Sequence, residues 1–179
     1  MSILLNSIEN KEMSRGFVKE EDQEEAPIIP PRAALPAGVT NYVTPVGMEE
    51  LLEEKRQLEQ ERAALDPENE MERRRAQAVI DGKVKLLNER LNSARVIEPK
   101  DQAQDEVRFG ALVEFTDLDK ELTQKFQIVG VDEADVKKQK IAFVAPIARA
   151  LTGKKTGETA EFTMGASSKK LKILNINYN

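Results

Sequence analysis

The chain has no cysteine, no histidine and no tryptophan, and aromatic residues make up only 4% of it. Missing thiols exclude disulfides and thiolate metal sites, and are compatible with a reducing compartment. Missing imidazoles exclude histidine acid–base catalysis and His-ligated zinc. No apolar run approaches the ~20 residues that cross a bilayer, and residues 1–5 lack the basic start and apolar stretch of a secretory signal. A cytoplasmic protein without a membrane role is expected. A strong positive balance is absent too. Net charge is −5, and no segment carries the basic excess of an autonomous nucleic-acid binder. A protein partner is the better expectation.

What the chain has in quantity is charge, at 33% of 179 residues, as a solvated helical rod would. From Ile80 the apolar residues recur at Val84, Leu87, Leu91 and Ala94, in alternating steps of four and three. That spacing is the seam of an antiparallel helical hairpin. Met48, Leu51, Leu58 and Leu65 form the answering stripe, interrupted by Lys55 and Arg62. Thr44-Pro45 is a helix-start signal, and Asp66-Pro67 repeats it for the second arm, so the fold-back is expected near Pro67. Arms of ~22 residues make a rod of roughly 33 Å. Such a rod is too thin to enclose a pocket and must reach into, or lean on, something else.

Four regions follow. Residues 1–43 read as a flexible tail: an acidic run at 19–25 precedes Pro27, Pro30, Pro31 and Pro36. Ile28, Ile29 and Leu35 leave open a segment that orders against a partner, and Met13 offers an alternative start. Residues 44–97 are the coiled-coil hairpin, and 98–106 a short linker. Residues 107–179 are a small antiparallel β domain, which makes the whole an α+β protein. Its strands are expected at 107–115, 125–129, 140–144, 158–164 and 169–178, with a short Pro-led helix at 146–151. A phase shift among Leu171, Ile173, Leu174, Ile176 and Tyr178 predicts a bulge.

Three places could carry chemistry. Asp66, Glu68 and Glu70 cluster at the fold-back. Carboxylates there could hold Mg²⁺ or complete a two-metal hydrolytic site in another enzyme; equally, they cap a helix and suit its first turn. Arg73, Arg74 and Arg75 could contact nucleic-acid phosphates, or form a solvated helix surface beside Glu70 and Glu72. Asp132, Glu133 and Asp135 occupy a turn between strands, as solvated turn chemistry or as an acidic knob aimed at a basic partner. Gly153-Lys154-Lys155-Thr156 is not a phosphate loop, because Ala148 and Lys155 stand where Gly and Ser or Thr are needed.

The C-terminal region carries Val107-Arg108-Phe109-Gly110-Ala111, then Ile128-Val129-Gly130-Val131-Asp132-Glu133-Ala134-Asp135, then Ala145-Pro146-Ile147-Ala148-Arg149-Ala150-Leu151, followed by Gly153-Lys154 and Gly157-Glu158. With Thr44-Pro45-Val46-Gly47 and the 91–97 exit, these motifs resemble the bacterial Gre transcript-cleavage factors over residues 44–179. The resemblance implies an FKBP-like C-terminal domain that docks on RNA polymerase at its secondary channel. It also implies a coiled coil entering that channel, whose tip acids help the polymerase's own metal site hydrolyse backtracked RNA. Candidate tip carboxylates are then Asp66, Glu68 and Glu70. Candidate docking residues are Asp132, Glu133, Asp135, Pro146, Ile147 and Arg149, although the Pro- and Ala-rich block also suits core packing. Arg73, Arg74 and Arg75 would lie near transcript RNA. No intrinsic cofactor is implied; Mg²⁺ would be shared with the polymerase, and the protein itself is expected to be a monomer and not an enzyme.

The tip departs from the family, whose acidic motif of the Asp-Leu-Lys-Glu-Asn-Ala-Glu-Tyr type is missing. The rod is also shorter by about two turns per arm, or roughly 10 Å of reach. Docking is thereby better supported than cleavage. A non-cleaving occupant or competitor of the cleavage factors is the alternative. A proline isomerase and a self-dimerising scaffold are the readings from other classes.

Overall fold

A computed structural model describes residues 27–165 and 167–178. The acidic run at 19–25 and Met13 lie outside the described residues. The order is β1 (Asn41–Val43), α1 (Pro45–Ala63), α2 (Glu70–Ser93) and β2 (Ala94–Val96). A five-stranded unit follows, with β3 (Leu112–Asp117), β4 (Leu122–Val129), β5 (Lys140–Ala142), α3 (Pro146–Leu151), β6 (Thr159–Met164) and β7 (Ser167–Asn177).

α1 and α2 form the expected hairpin. Leu51, Leu58, Ile80 and Leu87 are buried along its seam with Val43, and Met48, Leu65, Val84, Leu91 and Ala94 flank them. These are the residues that the helical periodicity selects. Arg62, which breaks the stripe, reaches across to Asp81 with Nε 3.0 Å from Oδ1, so the interruption becomes an interhelical ion pair. Thr44 caps α1 by accepting from the Gly47 amide at 2.9 Å. The second cap differs from expectation. Asp66 Oδ1 accepts from the Glu68 amide at 2.8 Å and closes a turn on itself. Asn69 then caps α2 by accepting from the Glu72 amide, so the second helix starts at Glu70.

Residues 27–43 are not a free tail where they are described. Their prolines do prevent a helix, but they leave an extended strap that lies along the hairpin and ends in β1. That strand pairs in parallel with β2, Asn41 opposite Ala94 and Val43 opposite Val96. Ile29 and Leu35 are half-buried while Ile28 stays exposed. The 98–106 linker is also partly packed, with Pro99 buried in a 3-10 turn over Pro99–Asp101.

The larger sheet runs β5-β4-β3-β7-β6. It is mixed rather than antiparallel, because the 130–139 connection brings β5 back parallel to β4. β3 starts at Leu112 and not at 107: Gly110, at φ +86, turns the chain, although Val107 and Ala111 still point into the core. The predicted bulge is present. Glu114 pairs with Asn175 and Phe115 with Ile173, leaving Leu174 over. Phe115, Ile128, Leu151, Leu171 and Ile173 are among the fully buried side chains, and α3 lays Ala148 and Leu151 on this core. Phe115 stacks on Phe126, and Tyr42, Phe109 and Phe143 pack edge to face or tilted. The rings thus serve packing, and nothing in their arrangement favours an isomerase pocket.

Candidate functional site at the hairpin tip and base

The far end of the hairpin is a short loop in which Asp66, Pro67, Glu68, Asn69 and Glu70 are all exposed. Its carboxylates are unequally free. Asp66 has one oxygen committed to the Glu68 amide. Glu70 pairs with Arg74 one turn along α2. Glu68 projects without an ion-pair partner among the described residues. Nowhere among those residues are three or more acidic side chains grouped to hold a metal ion. The loop therefore presents three carboxylates in sequence but does not converge them. Arg73 and Arg75 are exposed, and among the described residues neither forms an ion pair.

The acidic-knob expectation fails for two of its three residues. The Asp132 and Glu133 side chains are only 7% and 3% exposed. They point inward because cations and a hydroxyl from distant parts of the chain meet them there. Glu133 Oε2 accepts from the Thr44 hydroxyl at 2.6 Å, and Lys140 Nζ donates to Oε1 at 2.9 Å. Thr44 thereby caps α1 and ties that helix start to the sheet domain at once. Asp132 Oδ1 accepts from Arg32 Nε at 2.9 Å. Arg90 Nε stands 3.1 Å from Oδ2, near enough for charge pairing but not aligned as a hydrogen bond. Arg32 also grips Glu54 on α1 with both terminal nitrogens, at 2.8 and 2.9 Å. The Glu54 hydrogen bond does most to hold the guanidinium protonated; burial opposes this and the Asp132 charge reinforces it. Asp135 does a local job, accepting from the Lys137 amide at 3.0 Å.

The 145–151 block divides by face. Pro146 and Arg149 are exposed, Ile147 is half-buried against the core, and Ala148 and Leu151 are fully buried. Pro146 and Arg149 remain available to a partner; Ile147 is mainly packing. Sequence reading missed the residues that build the joint: Arg32, Tyr42, Glu54, Arg90 and Lys140. The single arginine among the prolines and apolar residues of 27–43 was the one signal that could have pointed to it.

The geometry defines a class of protein: a slender helical finger fastened at its root to a small mixed-sheet domain. Comparison with known proteins supplies the family. Residues 102–178 match the family model "Transcription elongation factor, GreA/GreB, C-term". The transcription elongation factor GreA of Hyphomonas neptunium is 41% identical over 102 residues, which cover 57% of this chain and 65% of that protein. GreA of Acidiphilium cryptum is 36% identical over 105 residues, or 59% of this chain and 67% of the relative. The chain thus spans about two thirds of the curated relatives it matches. The crystal structure of GreA factor homolog 1 of Thermus thermophilus aligns over 78% of this chain and 99% of that one, at 18% identity and a TM-score of 0.37. The chain belongs to the GreA/GreB family of transcription elongation factors. Among the described residues no helix is long and apolar enough to cross a membrane.

Proposed function

We propose that this chain binds RNA polymerase as a monomer in the bacterial cytoplasm, seating its C-terminal domain at the rim of the secondary channel and passing the hairpin inside. The observation that carries the reading is the hairpin itself. It is a thin two-helix finger whose exposed tip lies at the opposite end from its attachment. Helices of 19 and 24 residues extend roughly 28 and 36 Å, and neither packs broadly on the strands of the sheet domain. Exposed Pro146 and Arg149 are the docking candidates that the fold leaves open. Arg73 and Arg75 are the side chains that would meet transcript phosphates.

Two outcomes share this mode of binding. In one, Asp66, Glu68 and Glu70 approach the polymerase's own metal site and help it hydrolyse backtracked RNA, with the metal and the turnover belonging to the polymerase. In the other, the finger occupies the channel without aiding cleavage. The short reach and the commitment of Asp66 to its own turn favour occupancy. The Glu70–Arg74 pair decides little, since an exposed i,i+4 pair contributes about 0.3–0.5 kcal/mol. Halted, backtracked complexes incubated with the protein distinguish the two. Occupancy predicts no transcript shortening and reduced shortening by an added cleavage factor. Shortening that Asp66→Ala, Glu68→Ala and Glu70→Ala abolish establishes the cleavage outcome instead.

A further inference from the structure

The helices of the finger and the strands of the domain make only sparse contact with each other. The direction in which the finger projects therefore depends on few groups: Arg32 and Tyr42 of the strap at 27–43, and three direct bridges, Arg90 to Asp132, Thr44 to Glu133 and Lys140 to Glu50. Arg32 is central. Its guanidinium lies between Glu54 of α1 and Asp132 of the sheet domain, with Nη1 and Nη2 on the first at 2.8 and 2.9 Å and Nε on the second at 2.9 Å. Only a planar fork can bond two carboxylates in this way. Arg90 of α2 meets the same Asp132 and donates to the strap carbonyl of Ala33. Further along, Asn41 donates to the Arg90 carbonyl at 3.0 Å, and the Tyr42 ring packs on Phe109 and Phe143 of the domain.

At its other end the strap is held by shape. A Cβ built on Gly82 would lie 2.1 Å from Ile29 Cδ1, so the isoleucine rests directly on α2 where that helix has no side chain.

We infer that the strap is a clasp, and that Arg32 is the positioning residue that sets the angle between finger and domain. The clasp rests on the proposed function for its purpose: a finger that must enter a narrow channel while its base is docked has to point one way. Its existence is testable without any polymerase. The chain has no native cysteine, so spin labels can be placed solely at Met71→Cys near the tip and Lys172→Cys on the domain.

In an otherwise wild-type full-length chain, pulsed electron-spin distance measurement should give a single narrow population. Arg32→Ala should give a broad or multiple one, and so should Arg32→Lys, which keeps the charge and loses the fork. Far-UV circular dichroism and the melting temperature show that these chains are folded. Gly82→Ala provides a variant in which α2 gains helix propensity while Ile29 is displaced. Tryptic cleavage after Arg32 should quicken, with no loss of amide-exchange protection in the hairpin.

A narrow population that persists in folded Arg32→Ala or Arg32→Lys overturns the inference. So does a broad one in the wild-type background. Polymerase binding by the wild-type chain is read separately. Its absence sinks the proposed function and leaves the distance result standing.

Discussion

At the scale of single residues, Gly47 shows how tightly the joint is built. A Cβ there would lie 2.6 Å from Glu133 Oε2 and 3.3 Å from Thr44 Oγ1, so the carboxylate could no longer reach the Thr44 hydroxyl. Gly47→Ala should gain up to about 1 kcal/mol in helix propensity and lose more than that in the displaced bond. A small net loss of stability in urea unfolding is expected, and a clear gain would contradict the close approach. Glu133→Ala removes the acceptor of both Thr44 and Lys140. It should destabilise by about 2 kcal/mol, since hydrogen bonds to a buried charge exceed neutral ones. Tyr178 gives a pH signature. Its hydroxyl donates to the Glu106 carbonyl at 2.6 Å and accepts from the Arg108 amide at 2.9 Å. Burial raises its pKa above the ordinary 10.0. The folded state then holds the proton more firmly than the unfolded chain. Stability from this group is full below the unfolded pKa and is lost as pH rises through the folded one. Unfolding measured from pH 8 upward should show a steeper decline in wild type than in Tyr178→Phe, where Lys155, held protonated by its hydrogen bond to Asp105, still contributes; the substitution should itself cost about 1 kcal/mol.

At the scale of elements, the hairpin was legible because its information is local. Leu51, Leu58, Ile80 and Leu87 recur at helical spacing and the structure buries all four. Leu87 has no exposed surface, and Leu87→Ala should cost about 2–5 kcal/mol, read as a lower melting temperature. A change within experimental error would mean that the seam is not the hairpin's core. α3 was legible for the same reason, Pro at its start and Gly153 beyond its end. What was not legible depends on partners far away in sequence. Asp132 and Glu133 read as solvated turn acids until Arg32, 100 residues earlier, and Thr44, 89 residues earlier, are brought to them. The parallel pairing of β4 and β5 was hidden because alternation marks the buried face of a strand and not its direction. Asp66 and Asn69 are comparable caps by residue type. The choice between them was made by the turn that Asp66 closes on the Glu68 amide.

At the scale of the whole molecule, the described residues form two bodies with separate cores, joined by a strap and a small set of bridging groups. The hairpin cluster and the sheet cluster share no buried residue. This separation suits a protein whose finger works away from its base. The family model matches the C-terminal domain, over residues 102–178. The measurement that bears most directly on the account is site-specific photo-crosslinking from the tip. A photoreactive residue replacing Met71, which is 70% exposed in the first turn of α2, is carried into halted elongation complexes. Crosslinks to polymerase residues lining the interior of the secondary channel are predicted, and they should disappear when a competing channel-binding factor is added in excess. Crosslinks confined to the outer surface of the polymerase, or none from the tip while residue 149 crosslinks at the rim, would contradict it.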